Sequence, residues 1–206
     1  MTDREKMQSE LSMSEAVVVE SELLVDKPKR FVREVVRMPD GLTIDWYYVD
    51  TPSSVVVLPV TEDGMLVFVR QYRHNLKKFT VELPAGAVND SESFEHAALR
   101  ELREETGYVT TAASSIEILG SFYALPSETN RYVTFVLVKD VCRVEQSLPS
   151  GDGQIERYFD MRPHLLSPSD ALANIGKDIL GVETAMVLML AKAALRSAPD
   201  PPPAGP

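Results

Sequence analysis

The residues best equipped for chemistry lie in one short stretch, Arg100-Glu101-Leu102-Arg103-Glu104-Glu105-Thr106-Gly107. On a helix, at about 100° per residue, Glu104 and Glu105 fall within roughly 60° on either side of Glu101, so three carboxylates share one face across about one turn. Like charges at this spacing oppose helix formation by a few tenths of a kcal/mol. Partial burial raises the cost of keeping all three ionised. A hard divalent cation removes both penalties. Mg²⁺ takes oxygen ligands and keeps several waters, so two or three carboxylates together with substrate phosphates suit it. The plain alternative is a solvated acidic face. Two neighbours weigh against it. Arg100 stands four residues before Glu104, where it can pair with and orient that carboxylate. Gly86 follows Glu82-Leu83-Pro84-Ala85, a poor place for glycine unless the backbone makes an unusual turn or a close approach.

These residues need a helix and a sheet to hold them. The pattern predicts a helix from Phe94 to Thr106, with Ser91 or Ser93 as its cap and Gly107 ending it. Ala98, Leu99 and Leu102 point away from the carboxylates and can pack on a sheet. Before the helix, Phe31–Arg37 and Leu42–Val49 flank Pro39-Asp40-Gly41 and read as a hairpin. Ser54–Val60 and Met65–Arg70 flank Thr61-Glu62-Asp63-Gly64 and read as another. Phe79–Leu83 is a fifth strand, ended by Pro84. After the helix, strands are expected near Ile116–Tyr123, Tyr132–Val141 and Ile155–Asp160, with helices at Ser169–Ile175 and Val182–Leu195. Residues 1–27 are acidic and weakly patterned, apart from Ala16–Val19. Interleaving without strict βαβ alternation implies an α/β fold, a mixed sheet with helices packed on it.

With 206 residues, 44% of them hydrophobic, the chain can bury a real core and suits one domain with an appendage. We expect residues 1–52 to form an N-terminal extension and antiparallel β segment, serving dimerisation or as a substrate lid. Residues 53–196 would be the catalytic domain, and 197–206 a Pro-rich tail. The formal net charge of −10 disfavours nucleic acid as a partner. A small anionic substrate would need a local supply of cations. No apolar run is long enough to span a bilayer, so no membrane partner is expected. The polar start, Met1 to Glu10, lacks the basic-then-apolar order of a secretory signal. One cysteine, Cys142, makes an internal disulfide impossible and fits a cytoplasmic location. Cys142 reads as a small strand residue, and His74 and His164 form no nucleophilic constellation with it or with any serine.

From Gly86 the chain runs Gly, five residues, Glu92, seven residues, then Arg100-Glu101-Leu102-Arg103-Glu104-Glu105-Thr106-Gly107-Tyr108. This resembles the Nudix box, G-x5-E-x7-R-E-U-x-E-E-x-G-U, where U is a bulky aliphatic residue. Every fixed position matches, and the one departure is Tyr108 at the last U. The resemblance implies an α/β/α sandwich and a Mg²⁺-dependent hydrolase of nucleoside diphosphates linked to another moiety, with Mn²⁺ as a substitute. Carried over, Glu101 and Glu105 are the main metal ligands, and Glu104 is a further ligand or a water-orienting base. The backbone carbonyl of Ala85 is another ligand, Arg100 holds the glutamates, and Glu92 stabilises the loop–helix turn.

Flanking residues narrow the substrate. Arg70-Gln71-Tyr72-Arg73 followed by Glu82-Leu83-Pro84-Ala85-Gly86 looks like the ADP-ribose and nucleoside-diphosphate-sugar pyrophosphatase branch. In that branch Arg73 touches the diphosphate and Glu82 sits near metal or substrate. Arg70 to Lys78 is also the densest positive patch in the chain. Arg70 is either a second substrate arginine or part of a solvated hairpin. Pro126 stands where ADP-ribose enzymes carry a proline. The usual glycine after it is Ser127, however, and Arg131 occupies the usual acidic place, so another diphospho-sugar remains open. The branch brings a base from a late loop, for which Asp152 and Glu156 are the candidates, against a plain surface loop. Trp46 either stacks a nucleobase or packs the sheet; alternation puts it on one face with Tyr48. The resemblance also implies a homodimer through residues 31–52. A dinucleoside-polyphosphate or capped-RNA hydrolase is a second enzyme reading, and a non-catalytic nucleotide sensor a third. The retained glutamates argue against the sensor.

Overall fold

The computed structural model describes residues 15–27, 29–144 and 160–195. The chain forms two compact units, Met1–Thr51 with Tyr123–Arg131, and Pro52–Phe122 with Tyr132–Pro206.

The first unit is an antiparallel sheet of β1 (Val17–Val25), β2 (Arg30–Arg37) and β3 (Thr43–Asp50), in that order. The expected hairpin turns at Pro39-Asp40-Gly41, where Met38 N–H donates to Leu42 O at 2.7 Å and Gly41 takes φ +88°. Its register sets Glu34 opposite Trp46 and Val32 opposite Tyr48. β1 was not anticipated. Its register slips between Val18 and Glu20 and again between Leu23 and Val25, so apolar residues fall at consecutive positions and no clean alternation survives. The segment after Tyr123 returns along β3: Val49 N–H donates to Glu128 O (2.8 Å), and Asn130 caps the strand end through Thr51 N–H and Asp50.

The second unit is a seven-stranded mixed sheet of order β10-β5-β4-β9-β8. Its strands are β4 (Ser54–Thr61), β5 (Leu66–Arg73), β8 (Tyr108–Tyr123), β9 (Tyr132–Arg143) and β10 (Arg162–Leu166), with β6 (Lys78–Glu82) on β5 and β7 (Ala85–Ala87) on β4. β4 and β9 are parallel, and the β4–β5, β5–β6, β5–β10 and β4–β7 pairs antiparallel. The central strands read as continuous apolar runs because both faces are covered. On one face Val55, Val57, Val67, Val136 and Val138 pack against Ala97, Ala98 and Leu102 of helix α1 (Phe94–Thr106). Tyr108 joins that core as a buried apolar body. Val56, Leu58 and Phe68 point the other way, to the side of α2 (Pro168–Asn174) and α3 (Val182–Leu195). This is the expected α/β/α sandwich.

Two short strands were missed. β7 is three residues long, and β10 carries Pro163 at a sheet edge, where a missing N–H costs no ladder bond. The expected strand at Ile155–Asp160 falls almost wholly outside the described residues. Asp152, Glu156 and the tail 197–206 lie outside them too.

Candidate active site

β4 changes partner along its length. It meets β5 at Val60↔Leu66, and further back it pairs β7 through Val55↔Gly86 and Val56↔Ala85. Between these, Val57 N–H donates to Pro84 O at 2.9 Å. Leu83 N–H donates to Thr184 Oγ1 of α3 at 3.1 Å, and Val81 N–H to Asp178 O at 3.0 Å. The segment Val81–Ala87 is thus tied to β4 on one side and to α3 and the connection before it on the other, with β7 laid against α1.

Helix α1 starts where Ser93, the second of the two caps considered, accepts from His96 N–H at 3.2 Å. It ends at Gly107, whose φ of +73° suits glycine. Ala97 and Leu102 face the sheet, which turns Glu101 towards β7. A Cβ on Gly86 would stand 1.9 Å from Glu101 Oε1, so only glycine lets the carboxylate in. The glycine is there for close approach; its φ is not among the left-handed values.

Arg100 spends its guanidinium on this corner. Nε and Nη2 each donate to Glu92 at 3.0 Å, Nη2 donates to Ala87 O at 2.8 Å, and Nη1 donates to Glu101 Oε1 at 2.6 Å. The expected partner four residues on, Glu104, is engaged more weakly at 3.3 Å and its side chain is half exposed. Glu92 also accepts Asn89 N–H at 3.0 Å, which ties the turn before the helix. Arg100 and that amide hold the Glu92 carboxyl down at about 2.

The inner carboxylates behave in the opposite way. Burial pushes Glu101 above the ordinary range, Arg100 opposes that, and Glu104 and Glu92 add to it. Burial raises Glu105 to about 8, although Ala85 N–H donates to its Oε2 at 3.0 Å, and Glu101 raises it further. Burial thus disfavours the charge on both acids, and Glu101 makes that of Glu105 harder still to hold. Among the described residues no three carboxylates converge on one preformed point. Two carboxylates and a carbonyl nonetheless fit Mg²⁺, which brings most of its shell as water and phosphate oxygens.

Arg73 lies within electrostatic reach of Glu105, and each moves the other's proton affinity. Its Nε donates to Glu82 Oε1 at 2.9 Å and its Nη2 to Oε2 at 2.5 Å. Glu82 also accepts from Thr80 Oγ1 at 2.5 Å and Gln71 Nε2 at 3.3 Å. Burial raises the Glu82 carboxyl, but the Arg73 and Thr80 bonds outweigh it and leave it below the ordinary value. Arg70 does not join this group. Strand alternation sends it to the opposite face, where its guanidinium lies 3.8 Å from the Phe79 ring centroid, with Tyr72 edge-on to the same ring. Trp46 belongs to the N-terminal unit, exposed and paired across from Glu34, which accepts from Tyr48 OH at 3.2 Å. Sequence reading passed over Gln71, Thr80 and Thr184. The signal for Gln71 was present: it is polar, two residues from Arg73, on a strand face that Val67 and Val69 make apolar; Thr80 lies between Lys78 and Glu82 on its own face and carried no such signal.

The model of the NUDIX domain matches residues 50–180. The ADP-ribose pyrophosphatase of Bacillus subtilis is 32% identical over 135 residues, 66% of this chain and 71% of that protein. The ADP-sugar pyrophosphatase of Mus musculus is 31% identical over 170 residues, 75% and 78% of the two chains. A solved structure of an ADP compounds hydrolase superposes with a TM-score of 0.72 at 18% identity, covering 90% of this chain and 96% of that one, a likeness of fold.

Proposed function

Since the chain belongs to the Nudix hydrolase family, we propose that it is a Mg²⁺-dependent pyrophosphatase of ADP-ribose or another nucleoside-diphosphate sugar. The observation that carries this is the corner in which Gly86 admits Glu101 and Ala85 N–H holds Glu105, acids for a metal, with Arg73, a cation for a diphosphate, fixed by Glu82 within electrostatic reach of Glu105. The names of the relatives from Bacillus subtilis and Mus musculus point to the same substrate class.

In the reaction, water adds to one phosphorus, the bridging P–O bond breaks, and two phosphomonoesters leave. Glu101, Glu105 and the carbonyl of Ala85 would hold the cation, with Mn²⁺ as a substitute. The bound metal would supply Lewis-acid chemistry, lowering the pKa of the attacking water and neutralising phosphate charge. Arg100 keeps Glu101 turned inward. Glu104, half exposed and loosely held, is the box carboxylate with most freedom to accept a proton from water or join the metal. Arg73 binds the diphosphate and Glu82 orients Arg73. Asp152 or Glu156 would supply a base from the late loop, and Trp46 would stack the nucleobase.

We also read the protein as a cytoplasmic homodimer. The N-terminal sheet exposes Val17, Val18, Leu23, Leu24 and Phe31, an apolar surface of the kind subunits cover. A monomeric mass by light scattering at micromolar concentration would remove the dimer. Among the described residues no helix is long and apolar enough to cross a membrane.

The test is turnover on a panel of ADP-ribose, other nucleoside-diphosphate sugars and dinucleoside polyphosphates with Mg²⁺, against a Glu105→Gln control. The expected result is hydrolysis of a diphospho-sugar that the control loses. Turnover confined to dinucleoside polyphosphates, or tight binding without turnover, would refute it.

A further inference from the structure

We infer that Gln71 and Thr80 are positioning residues that aim Arg73 at the substrate diphosphate through Glu82. The inference rests on the reading of Arg73 as the diphosphate ligand and extends it to two side chains that touch neither substrate nor metal.

On β5, the residues facing α1 are Val67, Val69, Gln71 and Arg73. The first two are fully buried valines, and a third apolar residue would pack well on them. Instead Gln71 stands there, 3% exposed, and its partner across the ladder is Thr80, 2% exposed. Burying an amide and a hydroxyl side by side is costly unless each is hydrogen-bonded. Both are bonded to one acceptor. Thr80 Oγ1 donates to Glu82 Oε1 and Gln71 Nε2 to Oε2, while Arg73 Nε and Nη2 donate to the same two oxygens. Each carboxylate oxygen thus receives one neutral donor from inside and one guanidinium donor from outside.

The consequence is geometric. A lone Arg–Glu pair at a solvent edge leaves the carboxyl free to rotate, and such pairs are loosely ordered. Here the inner donors fix the carboxyl plane, and the bidentate match then fixes the guanidinium plane. The Nη1 donors are not used by Glu82. The side chain of Arg73 is 43% exposed and that of Glu82 is 19% exposed, so the anchor lies inward and the cation outward. Two buried neutral donors make little sense for a solvated pair and good sense for a preorganised phosphate ligand.

The experiment measures steady-state kinetics on ADP-ribose with Mg²⁺ for wild type, Arg73→Ala, Thr80→Val, Thr80→Ser, Gln71→Met and the double variant Arg73→Ala with Thr80→Val. Thr80→Val keeps the shape and deletes the donor. Its KM is expected to rise about tenfold with kcat within about twofold, the pattern of lost uniform binding. Thr80→Ser, which keeps the hydroxyl, restores the wild-type KM, and Gln71→Met shifts KM in the same direction as Thr80→Val. In the Arg73→Ala background Thr80→Val changes kcat/KM by less than about twofold, because its route to substrate is gone. Wild-type KM in Thr80→Val and Gln71→Met, or an undiminished loss in the Arg73→Ala background, would overturn the inference. If Arg73→Ala itself keeps the wild-type KM, the reading beneath it has failed and the inference falls with it. Melting temperatures of all variants separate misfolding from mispositioning, and Gln71→Met, which deletes the other neutral donor, carries the test if Thr80→Val does not fold.

Discussion

Replacing Glu105 by glutamine should change how the metal-free protein's stability depends on pH. In the fold the Glu105 carboxyl titrates near 8, against an ordinary 4.5 in the unfolded chain. The folded state therefore holds its proton more tightly. Its stabilisation is complete below 4.5, erodes as pH rises, and is lost once pH passes about 8. The whole difference corresponds to about 5 kcal/mol. That is an upper bound, because solvent still reaches part of the side chain. Across about two pH units inside the window the same slope gives roughly 3 kcal/mol, or about 5–10 °C in melting temperature for a domain of this size. Glutamine keeps an oxygen to accept Ala85 N–H and has no proton to lose. In EDTA, melting temperatures at several pH values between about 5.5 and 7.5 should fall faster with pH in wild type than in Glu105→Gln, the gap widening upward. Saturating Mg²⁺ should raise the wild-type values most at the high-pH end, and the variant's hardly at all. Parallel curves for the two proteins, within about 1 °C throughout, would show that Glu105 is not a strained buried acid.

Three further outcomes follow from the same corner of the molecule. Gly86→Ala sets a Cβ 1.9 Å from Glu101 Oε1 and must expel that carboxylate; kcat/KM should fall at least about tenfold while the apparent Mg²⁺ requirement rises, read from a metal titration. Arg100→Lys keeps the charge but cannot reach Glu92, Ala87 O and Glu101 together; a kcat loss of about tenfold or more is expected, with destabilisation of about 1–3 kcal/mol by urea unfolding. If the late loop supplies a base, Asp152→Asn or Glu156→Gln should lower kcat at least about tenfold; equal kcat in both variants and wild type would leave that role to the box carboxylates.

Much of the glutamate corner was written locally. The helix Phe94–Thr106, its Ser93 cap and its Gly107 end follow from capping chemistry and a 3.6-residue period, which depend on neighbours a few positions apart. The same locality put three carboxylates on one face. Gly86 was visibly out of place, but only the packed helix shows that its missing side chain makes room for Glu101. Arg100 was expected to serve Glu104, and the fold gives its best bonds to Glu92, Ala87 O and Glu101, because the loop from β7 comes back over the helix. Arg70 and Arg73 are alike in type and three residues apart. The pleat sends one onto Phe79 and the other onto Glu82, which needed the strand to run unbroken through Arg73. β1, β7 and β10 were illegible because bulges, three-residue length and an edge proline each erase the period on which strand reading relies. The four donors on Glu82 and the bond from Leu83 to Thr184 join residues up to 101 positions apart. Sequence alone could place the glutamates on one helix face, since a helix is its own ruler. How Arg73 is held, and what holds the loop before the box, was decided by pairings between strands and helices that no local pattern specifies.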